Sequence, residues 1–310
     1  MSLDAPVVGV RERRSIADAV ARVLRDLGTP EPPLKLEDVR QLLALDLQYY
    51  DGSDRSVIKA FTHQYRLFAK KRLPALGAKL QQTLRQSKLL AFWVPDGKRV
   101  LIDESAPKPK HRWIEGHEIA HSLTDWHRDF LLGDIAATLD PQCHATIEAE
   151  ANYGAGQLLF LHDRFGREAR DLPATFSSVH LLAGRYANSI TSTLWRFVEQ
   201  RNPSGASFGM ISVHPNVPTI GAHDGPDPWR YFIRSAAFQT QFSHVTAHDA
   251  YRILSTHATY QRRGPILEIE TRLRDVNGVG WHFTVESFCN SHAVLTLGVA
   301  VAPVASRVAG

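Results

Sequence analysis

The sequence predicts an α+β protein, mainly helical over its first two thirds and rich in strands over its last third. Three observations carry that expectation. Apolar residues recur at helical spacing within Arg11–Leu27, Leu36–Leu45 and Ile147–Leu161. Two short apolar runs flank the turn residues Pro95-Asp96-Gly97-Lys98. Three longer runs, Ile266–Asp275, Gly280–Phe288 and His292–Ala302, read as strands, the first two joined by a Val276-Asn277-Gly278 turn. At 310 residues the chain is long enough for two domains, each with its own core.

Composition narrows the class. With 44% hydrophobic and 22% charged residues the chain is neither disordered nor membrane-embedded. Met1–Ser15 has no apolar core of the signal-peptide kind, and the longest apolar run, His292–Ala305, is interrupted by Gly298 and Pro303 and is too short for a bilayer. The expectation is a cytoplasmic protein with no membrane partner. Cys143 and Cys289 lie far apart without a C-x-x-C spacing, so any metal must be held by His and carboxylate. The net charge of +4 conceals a local asymmetry, since Arg55–Lys88 holds nine Lys or Arg and no Asp or Glu. Such a run reads first as a solvated helix face and second as a patch for nucleic acid.

In chain order, Ile16, Ala19, Val20, Val23, Leu24 and Leu27 form the apolar stripe of a first helix that Gly28 and Pro30 end. Leu36–Leu45 predicts a second helix, and Leu45–Tyr50 a strand before the Asp51-Gly52 turn, with Tyr49 and Tyr50 as sheet packing. Ser56–Gln86 predicts one or two helices broken near Pro74 and Gly77. Leu89–Val94 and Arg99–Asp103 then pair as a hairpin, Ser105–Lys110 is a loop, and a helix runs from about His111 to Trp126.

That helix contains His117-Glu118-Ile119-Ala120-His121. Side chains four apart lie one above the other on a helix, so His117 and His121 can aim two imidazole nitrogens at one point, where a zinc ion would sit. Glu118, roughly a hundred degrees round the helix, can reach water at the metal rather than the metal itself, and is the natural general base. A catalytic zinc needs a third protein ligand. His127 stands ten residues after His117, the spacing of sites in which a glycine breaks the helix, but Thr124 occupies the glycine position. If the helix continues, His127 points away from the metal face. The competing candidate is a carboxylate on the helix Ile147–Leu161, whose Ala149, Ala151, Gly154, Ala155 and Gly156 permit close approach.

At this point the sequence resembles the ImmA/IrrE metallopeptidases, whose pattern is H-E-x-x-H followed by E-x-x-(A/C)-N-x-x-A-A-x-x-L-L. The matching positions are the His117–His121 motif, Glu148, Ala151-Asn152, Ala155 and Leu158-Leu159; Gly156 and Phe160-Leu161 depart from it. The resemblance implies a zincin-like domain over 1–170, with His117, His121 and Glu148 as zinc ligands and Glu118 as base. Glu150, about two hundred degrees round the helix from Glu148, should face elsewhere; Asn152 and Tyr153 read either as supports of the metal shell or as packing, and His127 as a direct ligand, a transition-state or substrate contact, or a surface residue. The resemblance further implies cleavage of a specific protein, often a transcriptional repressor.

Beyond the motif, Ser177–Arg185 and Ser189–Glu199 predict two helices joined by a short turn, with Ser189 as N-cap. Two such helices read first as simple packing; the resemblance to the ImmA/IrrE family implies a helix-turn-helix-like segment over 171–202, with Thr191, Ser192 and Arg196 on the exposed face of its second helix as a route to DNA. Asn202-Pro203-Ser204-Gly205 marks a boundary, and 203–310 reads as a small α+β domain with helices at Arg230–Phe242 and Ala247–His257; a sensory role for it is implied by the family resemblance alone. The leading expectation is therefore a zinc endopeptidase. The alternatives are a nucleic-acid-binding or ligand-sensing regulator in which the zinc fold is structural or vestigial.

Overall fold

The computed structural model describes residues 8–50, 91–94, 98–127 and 141–304. The basic run Arg55–Lys88, the helices expected over Ser56–Gln86 and the centre of the Pro95–Lys98 turn lie outside the described residues. The chain divides into two compact units, Met1–His162 and Asp163–Gly310. The two-helix segment expected over 171–202 thus belongs to the second unit.

The first unit opens with α1 (Val10–Asp26), which buries Ile16, Ala19, Val20, Val23 and Leu24 along one face. Helix α2 (Leu36–Leu43) ends at Ala44 in the left-handed region, and β1 (Asp46–Tyr50) follows. Strands β2 (Ala91–Val94) and β3 (Arg99–Asp103) pair antiparallel as expected. Strand β1 adds in parallel on the other side, giving the order β1-β3-β2. Central strand β3 buries Val100, Leu101 and Ile102 in succession, as a strand covered on both faces must.

Helix α3 (Lys108–Leu123) begins earlier than the expected His111, because Pro109 stands in its first turn, where a missing N–H breaks no helical bond. It packs on β2 and β3. Helix α4 (Pro141–Leu159) likewise starts before the expected Ile147. These two helices approach closely because glycine stands at their contacts. A Cβ on Gly154 would lie 2.9 Å from the Ala120 Cβ, and one on Gly116 would lie 3.0 Å from Leu159 Cδ1.

The second unit begins with α5 (Asp163–Arg170), α6 (Phe176–Tyr186) and α7 (Ile190–Gln200). Ser189 caps α7 by accepting from the Ser192 N–H, as the sequence predicts. Arg196 corrects the expectation of an exposed recognition face: it is buried, because α7 lays Leu194, Phe197 and Val198 in the core and packs against the sheet. The sheet is antiparallel with order β5-β4-β8-β7-β6, from β4 (Ser207–Ser212), β5 (Trp229–Arg234), β6 (Gly264–Arg274), β7 (Gly280–Cys289) and β8 (Val294–Pro303). The helix expected over Arg230–Phe242 is two elements. Its aromatic and β-branched first half pairs with β4 as a strand, and only Ala236–Gln241 turns as helix α8. Helix α9 (Ala247–His257) matches its expectation. Phe208, Phe238, Phe242 and Phe283 fill the space behind the sheet.

Candidate metal centre

Helices α3 and α4 together build one polar cluster in the first unit. From α3 come His117 and His121, one turn apart on the same face, with their Nε2 atoms 3.1 Å from each other. Glu148 on α4 places Oε2 3.2 Å from the first of these nitrogens and Oε1 3.7 Å from the second. Ligands about 2.0 to 2.1 Å from a tetrahedral zinc stand roughly 3.3 Å from one another, so the three side chains fit one ion without rearrangement. They form a group able to hold a metal ion. The His121 side chain is 5% exposed whereas that of Glu148 is 42% exposed, so the point where they meet opens towards solvent on the carboxylate side.

The electrostatics agree with the geometry. Burial alone would lower the His117 pKa, but its hydrogen bond to the accepting Glu148 carboxylate, the charges of Glu118 and Glu148 and the bond to Asn152 carry it above the ordinary imidazole value. The field at this point therefore favours positive charge. Asn152 Oδ1 lies 3.1 Å from His117 Nδ1, and as an acceptor it calls for the ring proton there, leaving Nε2 with its lone pair for a metal. Glu118 is buried beside this cluster. Burial, with the charges of Asp103 and Glu118, pushes the Tyr50 phenol up to about 12, so it keeps its proton at neutral pH. Tyr50, expected as sheet packing, thus stands within electrostatic reach of the candidate base.

His127 is where the structure departs most from the sequence reading. Helix α3 stops at Thr124, whose backbone is extended (φ −110°, ψ 101°). No glycine is required, because that conformation needs no positive φ, and the Thr124 hydroxyl donates to the Ala120 carbonyl at 3.0 Å. The chain then turns, and His127 comes round behind His121 with Nδ1 atoms 3.0 Å apart. On its other side, His127 Nε2 lies 2.8 Å from Glu150 Oε2, which also accepts from the Trp126 indole N–H at 2.6 Å. His127 is neither in the ligand triad nor available to substrate, being fully buried. Burial pushes its pKa below the ordinary value against the pull of Glu150. Glu150 faces away from the triad, as expected, but its place beneath His127 was not anticipated. The Tyr153 ring lies 5.7 Å beneath the guanidinium of Arg13.

No protein-family model matches the chain, and no curated protein matches it. Among solved structures the chain is similar to a Mycobacterium tuberculosis transcriptional regulator, with 12% identity, a TM-score of 0.49, and 95% of this chain and 90% of that chain covered. Among the described residues, no helix is long and apolar enough to cross a membrane.

Proposed function

We propose that the first unit is a zinc-dependent endopeptidase. The observation that carries this reading is the convergence of His117 Nε2, His121 Nε2 and the Glu148 carboxylate, at separations of 3.1 to 3.7 Å, beside a buried Glu118. Two imidazoles and one carboxylate suit zinc, and three ligands among the described residues rather than four leave one position for solvent or substrate, as catalytic sites do. Zinc bound there supplies a Lewis acid that acidifies water and polarises a carbonyl.

The remaining chemistry belongs to the chain. Glu118 takes the proton of the attacking water and passes it to the leaving amine. Tyr50 keeps its phenolic proton within electrostatic reach of that carboxylate. Asn152 holds the His117 ring in its ligating tautomer. Helix α3 packs on β2, and β2 is an edge strand of the sheet among the described residues. A peptide adding alongside β2 would be held extended, with its carbonyls in fixed register to α3. The resemblance to the ImmA/IrrE peptidases extends the reading to a specific protein substrate such as a transcriptional repressor.

The test separates base from ligand. Glu118→Gln retains one zinc per chain, while cleavage of a candidate repressor falls by about 10²- to 10⁴-fold. Glu148→Ala loses the zinc on dialysis, measured by metal analysis of the purified protein. Cleavage undiminished in Glu118→Gln would reject the mechanism, and full zinc content in Glu148→Ala would reject the ligand set.

A further inference from the structure

A histidine ligates metal only through a nitrogen that carries a lone pair, so His121 can present Nε2 only while its proton is on Nδ1. That Nδ1 lies 3.0 Å from Nδ1 of His127, and a single hydrogen between them belongs to one ring or the other. The far side of His127 decides which. Glu150 Oε2 accepts from Trp126, whose indole can only donate, and lies 2.8 Å from His127 Nε2. A carboxylate in that position accepts from His127 as well, which places the His127 proton on Nε2 and leaves a lone pair on its Nδ1. The shared hydrogen is then the property of His121.

We propose that Glu150 and His127 are positioning residues that lock His121 in its Nδ1–H tautomer, and that this relay sets the affinity of the centre for its ion. The two candidate ligands are served by different devices. His117 uses a single exposed amide, Asn152, whereas His121 uses two buried side chains, with His127 at 0% and Glu150 at 3% exposure. Burial keeps water from competing for these bonds, so the direction of each donor is imposed by the protein. Two features of the chain make the relay possible. The break at Thr124 brings His127 round, and Glu150 lies about 200° from Glu148 on α4, so one helix supplies a ligand on one side and an anchor on another.

The proposal rests on the reading of His121 as a ligand, and the experiment separates the two. The full-length chain, labelled with ¹⁵N-histidine and free of metal, is examined by ¹H–¹⁵N correlation spectroscopy for the His121 tautomer. Zinc affinity is then measured by competition with a chromophoric chelator. Two variants are compared with the parent. His127→Phe keeps a ring in the space but removes the acceptor; His127→Asn keeps an acceptor oxygen near the place of Nδ1, the chemistry Asn152 gives His117.

The parent shows His121 as Nδ1–H. His127→Phe shifts it to Nε2–H and weakens zinc binding by about 10- to 100-fold, whereas His127→Asn keeps the tautomer and stays within a few-fold of the parent. A role in packing alone reverses the order, with Phe tolerated and Asn impaired, and that result overturns the relay. So does an Nε2–H tautomer in the metal-free parent. A parent that shows Nδ1–H but binds no zinc overturns the endopeptidase reading and the claim on affinity, while the tautomer lock stands.

Discussion

Where α3 meets α4 in the first unit, the side chains sealed from solvent include Glu118, His121, His127 and Glu150, whereas behind the sheet of the second unit they are Phe208, Phe238, Phe242 and Phe283. The rings of the second set meet at centroid separations of 5.1 to 6.3 Å, the contacts that fill a core by volume and shape. The first set is costly to bury unless each group finds a partner, and the bonds that join His121, His127, Glu150 and Trp126 run in one continuous line. The difference teaches what each set of side chains asks of its surroundings: the aromatic set fills space, and the polar set carries a desolvation cost that only directed bonds offset.

The comparison breaks most sharply if the aromatic core matters to the metal. Phe238→Ala removes a ring that is fully buried among Phe208, Phe242 and Phe283, and lowers the stability of the second unit by about 3–5 kcal/mol in urea denaturation. Its zinc affinity stays at the parent value; a matching collapse of affinity would show that the two cores are not separate in function. The converse experiment adds metal. At free zinc a hundredfold above its dissociation constant, binding stabilises the unit that holds it by about 2.7 kcal/mol. Amide exchange then slows in Lys108–Leu123 and Pro141–Leu159 and is unchanged in Gly264–Arg274. Equal slowing in both regions would erase the distinction.

What the sequence made legible follows the reach of each interaction. His117 and His121 are readable because four residues along a helix settle their geometry locally. Glu148 is readable only through resemblance, since nothing in its own neighbourhood says which helix it will face. Asn152, four residues on from Glu148, shares its face, and the sequence leaves it open between support and packing. The place of Glu150 was not readable, because its partner His127 arrives by a helix break at Thr124 that neither glycine nor proline announces. The signal present was a threonine able to bond back to the Ala120 carbonyl as the helix ends. The helix expected over Arg230–Phe242 gives way to the strand Trp229–Arg234 for a related reason: its pairing partner β4 lies some twenty residues upstream, beyond any local periodicity. Arg196 was placed on an open face because helical phasing alone cannot tell which side a sheet will cover.

The smallest effect tests whether a surface device in the second unit is indifferent to the metal centre. Thr246 caps α9, its hydroxyl accepting from the Asp249 N–H at 3.2 Å while Asp249 accepts from the Thr246 N–H at 3.0 Å and its hydroxyl at 2.7 Å. Those two bonds hold the Asp249 carboxyl below its ordinary value despite some burial, with help from Arg252 and His248. The sign follows from that direction. A carboxyl whose folded pKa is depressed adds stability at pH values above its unfolded pKa, about 4, and loses it as the pH falls through the lower folded value. Thr246→Ala therefore costs about 1 kcal/mol at neutral pH, and the gap from the parent narrows below about pH 4 as the Asp249 carboxyl takes up its proton in both chains. Denaturant midpoints across that range give the comparison. A gap that widens on acidification would mean that the cap acts through something other than the carboxylate, and a change in zinc affinity would tie α9 to a site that the separation of the two cores says it does not serve.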